Sequence, residues 1–204
     1  MTTFIAFLFG SIVGSFLNVC IYRLPRGESV VTPRSHCPGC GQLIRAWDNI
    51  PILSFLILRG RCRDCGQPIA WRYPLVEGLT GILFALTVAS YGPTVLAASL
   101  LPFVAALVVI AFVDLDHQII PNVITLPGIP LGLLAGLAVG GPAILDRILG
   151  ALTGAGFLYL VLLYGGALYG QDAMGEGDLN LMALVGAFLG WKAVVVTLLV
   201  GCLS

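Results

Sequence analysis

Apolar stretches close to the ~20 residues needed to cross a hydrocarbon layer recur along this chain, at roughly 3–22, 75–91, 94–113, 123–141, 144–168 and 179–203. They constrain the fold more than any other feature, because backbone groups in lipid must be satisfied within the segment and helices do this unaided. The chain is 58% hydrophobic and 10% charged, with mean hydropathy +1.01, against roughly 25% charged in a soluble domain. The sequence predicts an all-α, polytopic membrane helix bundle of about six spans. The first stretch is read as a retained helix and not a signal peptide, since no Lys or Arg precedes it and Arg23 and Arg26 follow it.

Eight of the ten Lys and Arg residues lie between the first two stretches (Arg23, Arg26, Arg34, Arg45, Arg59, Arg61, Arg63 and Arg72), and positive charge favours the cytoplasmic side. The N-terminus is then outside and the loop inside. By parity, "VDLDHQIIPN" (113–122) and "YGQDAMGEGD" (169–178) also reach the cytoplasmic face. The chain divides into helix 1 at 1–22, a cytoplasmic loop domain at 23–72 and a membrane core at 73–204. Net charge is zero, so no basic face argues for nucleic acid. The partner implied by composition is the lipid bilayer.

The loop carries "CPGC" (Cys37, Cys40) and "CRDC" (Cys62, Cys65), each followed by Gly, at a spacing within the range of zinc ribbons. Four thiolates complete a tetrahedral ion and leave no position for water, so the expected role of zinc is structural. The rival readings are a pair of disulfides, disfavoured by a reducing cytoplasm, or four free thiols. His36 is expected to be exposed, and Cys20 and Cys202 to be small buried hydrophobes. "NIPILSFLIL" (49–58) is too short to span and is expected under the cysteine module or at the headgroups.

Asp114 directly follows the apolar run ending at Val113, and Asp178 sits in the Gly-rich turn of "AMGEGD". Singly, each reads equally well as a helix-end polar residue or N-cap. Together, on the same side and at similar depth, they suit a dyad in which one carboxyl holds a proton while the other acts as base. Gly175 and Gly177 would let an extended substrate approach closely. Asp116, pointing to a different side of the helix from Asp114, is a secondary candidate for positioning. Glu77, Asp146, Asp172 and Glu176 read as turn or interface residues, and Pro121 with Asn122 as the start of the fourth span.

"GSFLNVCIYRLPRGES" (14–29), the cysteine-bearing stretch 37–81, "VDLDHQIIPN" and "AMGEGDLNLMALVGAFLG" (173–190) together resemble, in order and over nearly the whole chain, the bacterial prepilin peptidases, also called type IV leader peptidases. The resemblance implies an aspartic endopeptidase of the bacterial inner membrane. Such an enzyme removes the basic leader from type IV prepilins or type II secretion pseudopilins at the cytoplasmic face. It implies catalytic roles for Asp114 and Asp178 and zinc ligation by Cys37, Cys40, Cys62 and Cys65. Members often also methylate the new N-terminus with S-adenosylmethionine, although the chain has no Gly-x-Gly-x-x-Gly fingerprint. It differs from the family pattern at Asn180, where Lys is usual, and ends at "VVVTLLVGCLS", where relatives are expected to continue through another apolar segment. The competing readings are a presenilin-like protease, a proton-coupled transporter using both aspartates as relays and an inactive zinc-stabilised scaffold.

Overall fold

The computed structural model describes residues 1–138, 142–169 and 175–203. Asp172 and the turns around it therefore lie outside the described residues. Eight α-helices account for most of the described chain: α1 Thr2–Arg23, α2 Leu53–Ile57, α3 Arg72–Tyr91, α4 Val95–His117, α5 Asn122–Ala138, α6 Ile144–Tyr169, α7 Glu176–Leu189 and α8 Trp191–Leu203. Pairing between extended segments is limited, among the described residues, to two isolated bridges in the cysteine loop. The chain forms two compact units, Met1–Gln118 and Ile119–Ser204.

In the first unit α1 and α3 pack along their length because glycines remove the side chains that would hold them apart. A Cβ on Gly14 would lie 2.8 Å from Glu77 Cα, and one on Gly10 the same distance from Thr80 O and Phe84 Cβ. Close approach through small residues one turn apart is the usual solution in lipid, where apolar side chains gain nothing by leaving the tails. Polar pins fix the register at one end. The amide of Asn18 donates to Tyr73 O at 3.2 Å. Glu77, expected at an interface or turn, is instead 8% exposed within α3 and accepts from the Ile52 N–H at 2.7 Å, tying the α2 segment to the helix pair. α4 completes this unit, its start capped by the Thr94 hydroxyl accepting from Ala97 N at 3.2 Å.

In the second unit glycine again sets the spacing. A Cβ on Gly154 would meet Met182 O at 2.8 Å, one on Gly132 would meet the Phe188 ring at 2.7 Å, and one on Gly186 would run into the backbone of Gly150. Leu158, Met182 and Val194 form the core between α6, α7 and α8. Arg147 is 1% exposed and donates to Pro142 O at 3.2 Å, Gly132 O at 3.0 Å and Ala187 O at 3.4 Å. One guanidinium thus serves carbonyls of the α5 and α7 helices and of the turn before α6.

The last apolar stretch, which Lys192 interrupts and which could form one kinked span or a short helix and a turn, takes the broken form. It breaks at Gly190, whose φ of +81° lies in the region that favours glycine, giving α7 of 14 residues and α8 of 13. A 14-residue helix is about 21 Å long, short of the hydrocarbon core. Among the described residues four segments are long and apolar enough to cross a membrane: Thr2–Arg26, Arg72–Tyr91, Val95–His117 and Ile144–Tyr164; Asn122–Leu137 and Trp191–Gly201 are shorter apolar helices. Phe4, Phe9, Ile12 and Phe16 on α1 and Leu131 and Leu134 on α5 are about half exposed or more, as lipid-facing side chains are. The chain is an all-helical, multi-pass membrane protein.

Candidate active site and metal centre

The two cysteine knuckles fold alike. Cys37 N donates to Gln42 O at 2.9 Å and Gly41 N to Cys37 O at 2.8 Å; Cys62 N donates to Gln67 O at 2.8 Å and Gly66 N to Cys62 O at 2.9 Å. Gly41 and Gly66 share a φ of +72°, which explains the Gly after each Cys-x-x-Cys. Bridges His36–Leu43 and Arg61–Pro68 close the two turns. The result brings Cys37, Cys40, Cys62 and Cys65 together, with all four sulfur atoms within 4.8 Å of one another. The Sγ atoms of Cys37 and Cys65 are 3.7 Å apart, close to the roughly 3.8 Å that zinc–sulfur bonds of about 2.3 Å require in a tetrahedron. The donor set fits a metal ion of that size.

The electrostatics of the thiols agree. Backbone N–H groups of Cys40 and Gly39 hold Cys37 down to about 7. Cys65, against the pull of the Gln67 N–H, is pushed up to about 12 by burial and by its neighbouring thiols. A metal held by these sulfurs would displace their protons on binding. His36 is exposed and its ring faces Arg34 O at 3.3 Å, apart from the cluster. Around the knuckles, Arg63 Nε donates to Asp48 at 2.9 Å, holding that carboxyl below the usual range. α2 is a single short helix, as the length of the apolar run required, and Leu56, Ile57, Trp47 and Trp71 are mostly exposed.

Asp114 lies in the last turn of α4 and is exposed; its carbonyl accepts from the N–H of Gln118, the left-handed residue that ends the helix, at 2.8 Å. Asp116 is ion-paired to Arg72, whose guanidinium also donates to Phe112 O at 3.2 Å. Asp178 is half-buried in the first turn of α7, its N–H donating to Gly175 O at 3.2 Å. Gly175 is the N-cap residue. At Gly177 a Cβ would fall 2.7 Å from Ile120 Cβ, so only glycine lets the α7 start lie against the Ile120 segment. Asn180 donates to Asn122 Oδ1 at 3.0 Å. The two starts of α5 and α7 are thereby joined. Asp114 and Asp178 belong to different units.

Sequence reading did not single out Arg72, the Asn122–Asn180 pair or the carbonyl clamp of Arg147. For the asparagines a signal existed, since both sit at predicted helix starts inside the two acidic motifs. For the arginines the composition gave only a charge to place.

Residues 8–91, which hold α1, the cysteine loop and α3, match the Bacterial Peptidase A24 N-terminal domain. The chain is 45% identical over 193 residues to the prepilin leader peptidase/N-methyltransferase of Myxococcus xanthus, covering 95% of this chain and 58% of that relative. It is 40% identical to the protein of that name from Neisseria gonorrhoeae and 41% identical to that from Aeromonas hydrophila, covering 98% of this chain and 78% and 77% of those relatives. No solved structure matches. Residues 101–204, with both acidic motifs in sequence, match the Type IV leader peptidase family, and with relatives this similar over nearly its whole length the chain belongs to that family.

Proposed function

We propose that the protein is a membrane aspartic endopeptidase that removes the basic leader from type IV prepilins or type II secretion pseudopilins. Asp114 and Asp178 form its catalytic dyad. The observation that carries this reading is the family match spanning both acidic motifs, with each aspartate in a terminal helical turn: the last of α4 and the first of α7. A carboxylate pair at the lipid–water boundary would act on a substrate whose basic head stays in water while its apolar segment lies in lipid. One carboxyl, protonated, polarises the scissile carbonyl; the other takes a proton from water, which attacks without a covalent intermediate. Gly175 and Gly177 leave room for the extended substrate backbone, and Asp116 belongs to the positioning groups.

In this reading α5 and the broken α7–α8 pair join the four long helices to complete six membrane segments, in the cytoplasmic membrane of a bacterium. The loop at 23–72 faces the cytoplasm, and the peptidase core occupies 73–204. The cysteine cluster would hold structural zinc through Cys37, Cys40, Cys62 and Cys65, ordering the loop. The relatives' names carry a second activity, methylation of the new N-terminus, for which S-adenosylmethionine would be the methyl donor.

The test is cleavage of a purified prepilin in liposomes. The parent chain is expected to release the leader, and Asp114→Asn and Asp178→Asn, inserted to equal levels, are each expected to abolish release. Variants that cut like the parent would refute the dyad. A one-methyl mass increase on the cleaved product, dependent on added S-adenosylmethionine, tests the second activity.

A further inference from the structure

We infer that Arg72 and Asp116 act as a positioning pair that sets the direction of the Asp114 carboxylate; the inference rests on the peptidase reading above. Arg72 is the first residue of α3, in a segment already fixed, since Asn18 of α1 holds the neighbouring Tyr73 carbonyl and Gly14 seats α1 against α3 at Glu77. From this anchored point the guanidinium reaches the last turn of α4 in three ways. It pairs with Asp116, donates to the carbonyl of Phe112 at 3.2 Å and lies over the Phe112 ring, 5.3 Å from its centroid.

Residues 112 and 116 are one helical turn apart and share a face, whereas 114, two residues from each, points to the far side. Gripping the 112/116 face therefore aims Asp114 away from Arg72. Beyond the fully buried Val113, the other side chains of this turn are accessible: Leu115 is 78% exposed and Asp114, Asp116 and His117 are exposed too. An ion pair this accessible adds little to stability, so its consequence is geometric. Arginine is required because its planar fork can serve a carboxylate and a carbonyl together, which an ammonium does poorly. Asp116 thus works through Arg72 and not through the substrate.

The experiment is prepilin cleavage kinetics in liposomes for Arg72→Lys, Arg72→Met, Asp116→Asn and the Arg72→Met/Asp116→Asn double variant, beside Asp114→Asn. The expected result is a kcat lowered about tenfold or more, as small misplacements of a reacting group cost, with KM near the parental value. The double variant should lose no more than the worse single one, because both remove the same grip. Parental kcat in Arg72→Lys and Asp116→Asn, with Asp114→Asn inactive, would overturn the positioning pair and leave the peptidase reading standing. So would a loss expressed in KM, which would make Asp116 a substrate contact, or losses that add in the double variant. Asp114→Asn cutting like the parent would refute the peptidase reading, and the pair with it.

Discussion

The cysteine loop and the α1–α3 helix pair lie side by side in sequence and are ordered by opposite means. In the helix pair the backbones touch through glycines, and Thr80, Val76 and Phe84 are almost fully buried. Order there comes from shape fit spread over many contacts. In the loop most apolar side chains are exposed, and what converges is four sulfur atoms and a few backbone turns. A segment with so little buried surface gains little from packing against its conformational entropy, and its four converging sulfurs are what a metal could cross-link. The contrast teaches that damage should spread differently: removing one element should free the whole loop, whereas the helix pair should weaken by degrees.

With zinc at the cysteine cluster, as proposed, the largest expected effect follows from removing it. Structural zinc sites in small modules contribute about 10–16 kcal/mol at neutral pH, so chelation, or Cys40→Ser with Cys65→Ser, should make the loop cleavable by trypsin at Arg59 and Arg61 while helix content by circular dichroism stays near parental. A loop that resists trypsin after chelation would break the comparison. Next, Arg147→Met strips donors from carbonyls of α5, α7 and the turn before α6; leaving buried polar groups unpaired costs about 1–3 kcal/mol. The thermal midpoint in detergent should fall while bound zinc is unchanged. Gly14→Leu should also lower that midpoint, by overpacking worth about 1–3 kcal/mol, because the new side chain would meet Glu77 and Thr80.

The smallest effect concerns acid. Arg63 holds Asp48 below the usual carboxylate range, so the stabilisation is fully present above the unfolded carboxyl value of about 3.9 and is lost as pH falls through the lower folded value. Between about pH 4 and pH 2, acid-protease nicking of the loop should rise in the parent. It should rise less in Asp48→Asn, which has no such carboxylate to lose.

How much of this was legible beforehand depends on the range of the interaction. The spans at 3–22, 75–91, 94–113 and 144–168 matched α1, α3, α4 and α6 closely, since hydropathy over ~20 residues is a local property. The cysteine cluster was legible for the same reason: a knuckle of four residues and a glycine builds half a site by itself. The break at Gly190 was foreshadowed only by Lys192 interrupting the run. A glycine in an apolar run can be a packing surface, as at Gly186, or a turn, as at Gly190, and periodicity does not distinguish them. Glu77 read as an interface residue because a carboxylate in a span is costly; its partner, the Ile52 N–H, is brought by a loop.

By itself the sequence determined the class of solvent, the four long apolar helices, the two cysteine knuckles and the position of two aspartates near helix ends, because each depends on composition or spacing within one segment. The tertiary structure alone decided that Arg72 grips the last turn of α4, that Arg147 spends its donors on three carbonyls, that Asn180 bonds Asn122, and which glycines are contact surfaces. Those outcomes join residues distant in sequence. A side chain's partner across such a distance is set by how helices pack in register, and in lipid that register is chosen by close van der Waals fit and not by any signal carried along one strand of sequence.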